Sequence, residues 1–326
     1  MLIYLIKRLI AAIPMLLGIT FISFLIMKMA PGDPVSIFLN PSVSLADIEQ
    51  VKKNLGFDRS IFVQYFVWLK HVFVGDLGYS YVTGKPVFMS LVERLPATLL
   101  LSISSLIIIL LITVPLGLIC GYKRNTWEDD VVTVFSFLGL SIPSFWLGLM
   151  LILVFSFYLD LFPTSGFLDP LLYDAPFFKK FTNIAYHMFL PLLTIIIGGI
   201  AGLTRYNRFG IIKVLAQDYI TAARARGVAE SKILFHHAFR NILLPIITIL
   251  GLDLPSLISG SYIIEYIFSW PGMGQLGVQA VFQRDYPILM ATILFSSILI
   301  ILGTIMADFC YAYVDPRIVK KSSHDV

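Results

Sequence analysis

Asp253 is the first residue that has to be accounted for, because it lies in the apolar stretch "GLDLPSLISG". An ionisable group held in lipid either faces a polar pathway or pairs across helices. Ser256 and Ser259 stand nearby and would share its environment, and Pro255 interrupts the backbone hydrogen bonding of the same segment. Pro143, in "GLSIPSFWLG", frees a backbone carbonyl in the same way and predicts a kink. Such breaks either line a pathway or serve local packing, since irregular backbone in a bilayer is tolerated only beside protein or water. Other chemistry can be tested on spacing alone. Gly139-Leu140-Ser141 has the order of a nucleophile turn, with His187 as the only conceivable base in another apolar segment. On straight helices of 1.5 Å rise their depths differ by ~15 to 20 Å, whereas a base must come within about 3 Å. "GYSYVTGKP" approaches a phosphate-binding loop, but its spacing is off by one and Pro86 follows Lys85. His236 and His237 are adjacent and diverge on a helix, and the chain has no H-x-x-x-H or C-x-x-C pair. No enzyme chemistry, bound cofactor or metal site is expected on this chain.

These residues are positioned by membrane helices. The chain has 326 residues, 58% hydrophobic and only 13% charged, against about 25% charged in soluble domains. Six stretches reach the ~20 apolar residues a span requires: Leu9 to Met29, Ala97 to Cys120, Val131 to Tyr158, Tyr186 to Thr204, Leu243 to Ile264 and Ile288 to Tyr311. Alternating segments of about ten residues, the mark of a barrel, do not occur. The first segment ends in "MKMAPGDP", without a small-residue cleavage pattern, and reads as an uncleaved span. Lys7, Arg8, Lys123, Arg124, the run from Arg205 to Arg240, and Arg317, Lys320 and Lys321 all fall on one side, which predicts that both termini are cytoplasmic. Cys120 and Cys310 lie at inner ends of spans, where a structural disulfide is not expected.

Residues 30–96 form a long outer segment. "SLADIEQVKKNLG" reads as a short helix with Ser44 as N-cap and Gly56 as stop. "FVQYFVWLKHVF" places Phe62, Tyr65, Phe66, Leu69, Val72 and Phe73 on one helical face, which suits either a helix in the membrane interface or one packed on other spans.

The polar loop 205–245 differs from everything around it. In "DYITAARARG", Asp218 is expected to cap a short helix and Gly227 to end it. Tyr219, Ala222, Ala223 and Arg226 share one face by helical spacing, with small alanines that let another backbone approach. A second helix is expected near Glu230 or Ser231, with Phe235, Ala238, Phe239 and Ile242 on one face, ending at Pro245. Two short helices hinged at a glycine suit mechanical coupling; the plainer reading is a basic loop on the membrane surface.

"YITAARARG" followed by "RNILLP" resembles the Glu-Ala-Ala loop of ABC importer permeases, with Ala222, Ala223 and Gly227 at matching positions. Thr221 stands where the family usually has glutamate, and Gly227 is farther from Leu244-Pro245 than in sugar permeases. Both departures are similar to the dipeptide, oligopeptide and nickel permease branch. "APGDP", "RLPATL", "SIPSFW", "IFSWPGMGQL", "RDYP" and "DPR" resemble that branch in order and spacing, and the long outer segment resembles its first permease subunit.

The resemblance implies an all-α membrane protein with the six-helix type I ABC importer permease fold: 1–29 as the N-terminus and first span, 30–96 outside the cell, and 97–326 as the permease core. It implies a heterodimer with a second homologous permease in a bacterial or archaeal cell membrane, two cytoplasmic ATPase subunits carrying ATP and Mg, and an extracytoplasmic substrate-binding protein; nothing points to nucleic acid. The coupling residues would be Asp218, Tyr219, Thr221, Ala222, Ala223, Arg224, Arg226 and Gly227, with Asp253, Ser256, Ser259 and Pro143 along the pathway. A stand-alone secondary transporter or channel, driven by an ion gradient, is the competing class.

Overall fold

A computed structural model describes residues 2–29, 56, 58–242, 246 and 262–314. Most of the described residues are helical, and they contain no strand, only an isolated bridge between Tyr79 and Pro86. In chain order the helices are α1 (Leu2–Met29), α2 (Ile61–Phe73), α3 (Val87–Tyr122), α4 (Trp127–Ser141) and α5 (Ser144–Leu151). They continue with α6 (Phe177–Leu215), α7 (Asp218–Ala225), α8 (Glu230–Lys232), α9 (Tyr262–Ile267), α10 (Met273–Gln283) and α11 (Tyr286–Val314).

Four segments are long and apolar enough to cross a membrane: Ile10–Met29, Val87–Tyr122, Phe177–Leu215 and Tyr286–Met306. A fifth is α4 together with α5 and its π-helical continuation Ile152–Tyr158, bent by 97° at the break. Most of the span expected over 243–264 lies outside the described residues, as do the short helix expected from Ser44 and the residues Asp253, Ser256 and Ser259.

The 97° bend is sharper than the kink expected at Pro143, and its cause is local. Ile142 adopts φ −86°, ψ 121°, the extended conformation that a following proline enforces. Pro14, Pro96, Pro115 and Pro191 stay inside unbroken helices, so proline alone is not sufficient for such a bend.

α6 is the backbone of the assembly. Its 39 residues make it about 58 Å long, nearly twice the ~30 Å hydrocarbon core, so it carries structure on both sides of a membrane. It packs along α3, where small residues bring the axes together; a Cβ on Gly121 would lie 2.5 Å from Cβ of Ile211. At the N-terminal side of the chain α1 lies against α11 and α2. Tyr65 of α2 is buried among Phe24, Met27, Tyr286 and Met290, and its hydroxyl is 3.0 Å from Thr20 Oγ1. The single apolar face expected for α2 is therefore divided. Tyr65 turns inward, whereas Phe62, Phe66 and Phe73 are 63%, 64% and 78% exposed, because α1 covers only one side of a helix that is apolar nearly all round.

Candidate functional site

The C-terminal end of α6 carries the polar loop. After the turn at Ala216, α7 runs for eight residues and stops where Gly227 takes φ +76°. The N–H of Gly227 donates to the Arg224 carbonyl and that of Val228 to the Ala223 carbonyl, which satisfies the free carbonyls of the helix end. Glycine adopts this left-handed turn without steric cost, and the expected stop is borne out. The expected cap is not. Gln217 occupies the N-cap position and Asp218 is the first helical residue, with no side-chain cap bond from either. Asp218 still places negative charge beside the positive end of the helix dipole.

The face expected to be shared by Tyr219, Ala222, Ala223 and Arg226 is also divided. Ile220 and Ala223 are buried, at 0% and 3% exposure, against Ile233, Leu215 and Val228. Tyr219, Thr221, Ala222, Arg224 and Arg226 remain exposed. Ile220 is the one large aliphatic side chain of α7, and the residue three positions on turns inward with it. Ala222 is thus exposed, whereas Ala223 belongs to the loop's own core.

Beyond Gly227, α8 starts at Glu230 as expected and passes through a π-helical turn, Ile233–Ala238. The extra residue in that turn shifts the inward stripe to Ile233, Ala238 and Ile242, and Phe235 is left 62% exposed instead of facing inward with Ala238. Arg224 forms a two-bond pair with Glu230, at 2.7 and 3.2 Å, which clamps the two helices across the glycine. The guanidinium holds the Glu230 carboxyl below its ordinary range. Asn241 donates to the Tyr219 hydroxyl at 2.9 Å.

The loop is firmly joined to the spans. Ile211 of α6, Leu118 of α3 and the buried residues Ala238, Ile242 and Ile246 form one cluster. Arg208 of α6 makes bonds of 2.5 and 2.7 Å to Asp129, which is 1% exposed and lies in the first turn of α4.

At the opposite end of α6 lies an arrangement that sequence reasoning missed. Glu265 of α9 is fully buried. Its carboxylate accepts from Thr98 Oγ1 at 3.0 Å and from the backbone N–H groups of Gly274 and Gln275 at 2.7 and 3.3 Å. Thr98 Oγ1 in turn accepts from the N–H of Met273, Trp270 Nε1 donates to the Ala97 carbonyl at 2.8 Å, and Arg94 donates to Gln275. The glycines of "SWPGMGQL" make this closeness possible: a Cβ on Gly274 would lie 2.7 Å from Cα of Tyr262, and one on Gly272 would overlap Glu265 and Thr98. The available signal was a carboxylate inside "YIIEYIFSW" followed by a glycine-rich turn.

The remaining candidates are dispersed. Pro143 caps α5 at the bend. Ser141 donates to the Phe137 carbonyl and His187 is bonded to the Asn183 carbonyl, each within its own helix. "GYSYVTGKP" forms a hairpin in which the N–H of Ser80 bonds the Lys85 carbonyl and Ser80 Oγ donates to Asp285.

Comparison with known proteins adds to this geometry. The family described as "Binding-protein-dependent transport system inner membrane component" matches residues 113–320, and the N-terminal family of the same transport components matches residues 1–104. The oligopeptide transport system permease protein AppB of Bacillus subtilis is 46% identical over 97% of this chain and 98% of its own length. The glutathione transport system permease protein GsiC of Escherichia coli is 35% identical over 98% of this chain and 100% of its own. With the family match covering more than half of a chain of apolar helices, the protein belongs to the binding-protein-dependent, ABC-type importer permeases of the membrane.

Proposed function

We propose that this chain is one half of the translocation pathway of an ATP-driven importer for peptides or peptide-like solutes, and that α7 is the lever through which separate ATPase subunits drive it. The observation that carries the reading is the combination at α7: an exposed surface of Tyr219, Ala222 and Arg226 on a helix whose other side is buried and whose base is fixed to α6. A surface helix with no role would not need a buried underside, a stapled hinge and a bidentate link from α6 to α4. The peptide class is supported by relatives named for oligopeptide and glutathione transport.

On this reading the loop end and both termini face the cytoplasm, in keeping with the basic residues gathered there. A second permease completes the pathway, a binding protein delivers solute at the Glu265 end, and ATP and Mg reside on the ATPase subunits. Closure of those subunits pushes α7. The push passes through Arg208 and Asp129 to α4, whose break at Pro143 lets the near half of the span tilt without the far half. Asp253, Ser256 and Ser259 are assigned to the pathway on the chemistry of their types.

The test uses the full transporter co-expressed with its partner subunits. Ala222→Glu places a charged side chain on the presented face and should weaken ATPase attachment by about 2 kcal/mol or more, ~30-fold, with solute-stimulated ATP hydrolysis lost in proportion. Unchanged co-purification and transport would remove α7 from the mechanism. Uptake by this chain alone in ATP-free vesicles would instead favour a gradient-driven transporter.

A further inference from the structure

A crevice of about 50 Å³ opens between α4 and α6, lined by Thr133, Ser136 and Phe137 from one helix and Thr204, Arg205 and Arg208 from the other. By the same measure a single water needs only ~10–15 Å³, so the space admits more than one oxygen-sized group. Its chemistry is specific. Thr204 is 1% exposed, and its hydroxyl has no hydrogen-bond partner among the described residues. Buried Thr194 and Thr292, by contrast, donate to the carbonyl four residues earlier at 2.8 and 2.7 Å. Leaving a buried hydroxyl unsatisfied is costly, so a group that accepts its proton belongs there.

The charges favour an anion. Arg208 is neutralised by Asp129. Arg205 has no ion-pair partner among the described residues; its guanidinium lies 5.7 Å from the ring centroid of Phe137, which orients it along the crevice mouth. No carboxylate belongs to the crevice lining, so Arg205 is the lining cation left unpaired among the described residues, while Asp130 acts on Arg208 from outside the lining. Its level is defined as well, since α6 changes at this point from the apolar run "LLTIIIGGIAGL" to "TRYNRFGIIK". Beside it α4 exposes Val134, Phe135 and Leu138, at 56%, 69% and 53%, a surface suited to acyl chains.

We propose that this crevice binds the phosphodiester of an anionic phospholipid from the leaflet on the α7 side. One phosphate oxygen accepts from Thr204 Oγ1, a second pairs with Arg205, and the acyl chains lie along α4. Basic crevices between spans at headgroup level are the usual form of such sites. Because the headgroup would touch α4 and α6 beside the Arg208–Asp129 link, occupancy would bear on the same helix pair that α7 moves.

The experiment takes the complete transporter, purified with its partner subunits, and titrates it with phosphatidylglycerol, phosphatidylcholine or inorganic phosphate while bound lipid is read by native mass spectrometry. Phosphatidylglycerol should bind in preference to phosphatidylcholine, and Arg205→Gln should weaken it about fivefold, the scale of one basic residue at a membrane surface. Thr204→Val should weaken it by a smaller factor, and Arg205→Lys should restore most of the loss. Millimolar inorganic phosphate should not compete, because it lacks the chains that α4 holds. Equal phosphatidylglycerol binding by wild type, Arg205→Gln and Thr204→Val would overturn the proposal. Full displacement by inorganic phosphate would also overturn it in favour of a free-anion site, and loss of the second permease with lipid binding unchanged would show that a protein contact fills the crevice.

Discussion

The two ends of α6 solve opposite problems. At the Glu265 end the buried polar groups are paired within the chain: the carboxylate has three donors, Thr98 bridges two helices, and the Trp270 indole is both buried and bonded. At the other end α7 buries two side chains, Ile220 and Ala223, and leaves the rest of its surface open. A region satisfied internally gains little from a partner and resists change. A region with a firm underside and an open top surface is the one suited to the contact proposed for α7. The contrast places a closed polar network at one end of a long helix and an open helix surface at the other.

The largest effect that would break this contrast is expected at the closed end. Trp270→Ala empties a fully buried site and removes the bond to Ala97, and should cost about 3–5 kcal/mol, read as a lower thermal unfolding temperature in detergent. If it cost no more than a surface change, the Glu265 end would not be the rigid one. Next is the link between α6 and α4. Asp129→Ala leaves Arg208 without its partner; because Arg208 keeps 18% exposure, the loss should be about 2–3 kcal/mol, below that of a fully buried pair. Transport should fall while ATPase attachment persists, since α7 itself is untouched.

The pair Ala222→Glu and Ala223→Glu sharpens the comparison within a single turn. The first should change stability by less than about 0.5 kcal/mol while disrupting attachment of the ATPase. The second places a charge in the Ile220–Ile233 cluster and should unfold the loop locally, visible as faster proteolysis between Arg224 and Lys232. The smallest effect is expected from Arg224 and Glu230. Arg224 lowers the folded-state value of Glu230 from its ordinary 4.5, so the contribution of the pair is fully present above pH 4.5 and is lost as the pH falls through the depressed value. Proteolysis of the hinge should therefore be flat from pH 8 to pH 5 and rise only in stronger acid, and Glu230→Gln should remove that dependence.

Much of this was legible in the sequence where one residue dictates local geometry. Gly227 announces the end of α7 because few other residues take φ +76° easily, and Pro143 announces a break because it forces Ile142 out of the helix. The orientation of α7 was not legible. An eight-residue helix with four alanine or threonine positions has a weak apolar stripe, and whether Ala222 or Ala223 faces inward depends on Ile233, ten or more residues away. The phase of the next helix was hidden by a π-helical turn, which a 3.6-residue pattern does not reveal. Glu265 was passed over because its partner Thr98 is 167 residues distant, so that a satisfied carboxylate and an orphaned one read alike. The division of α2 depends in the same way on where α1 lies.

The claim that α7 is the contact through which the ATPase acts is tested most directly by cross-linking in the assembled transporter. A cysteine at Ala222, with Cys120 and Cys310 replaced by alanine, should join to an ATPase subunit through a short thiol–amine reagent and arrest solute uptake, while a cysteine at the exposed Val281 of α10 should yield no such product. Absence of the Ala222 product from a complex that hydrolyses ATP and transports normally would contradict the account.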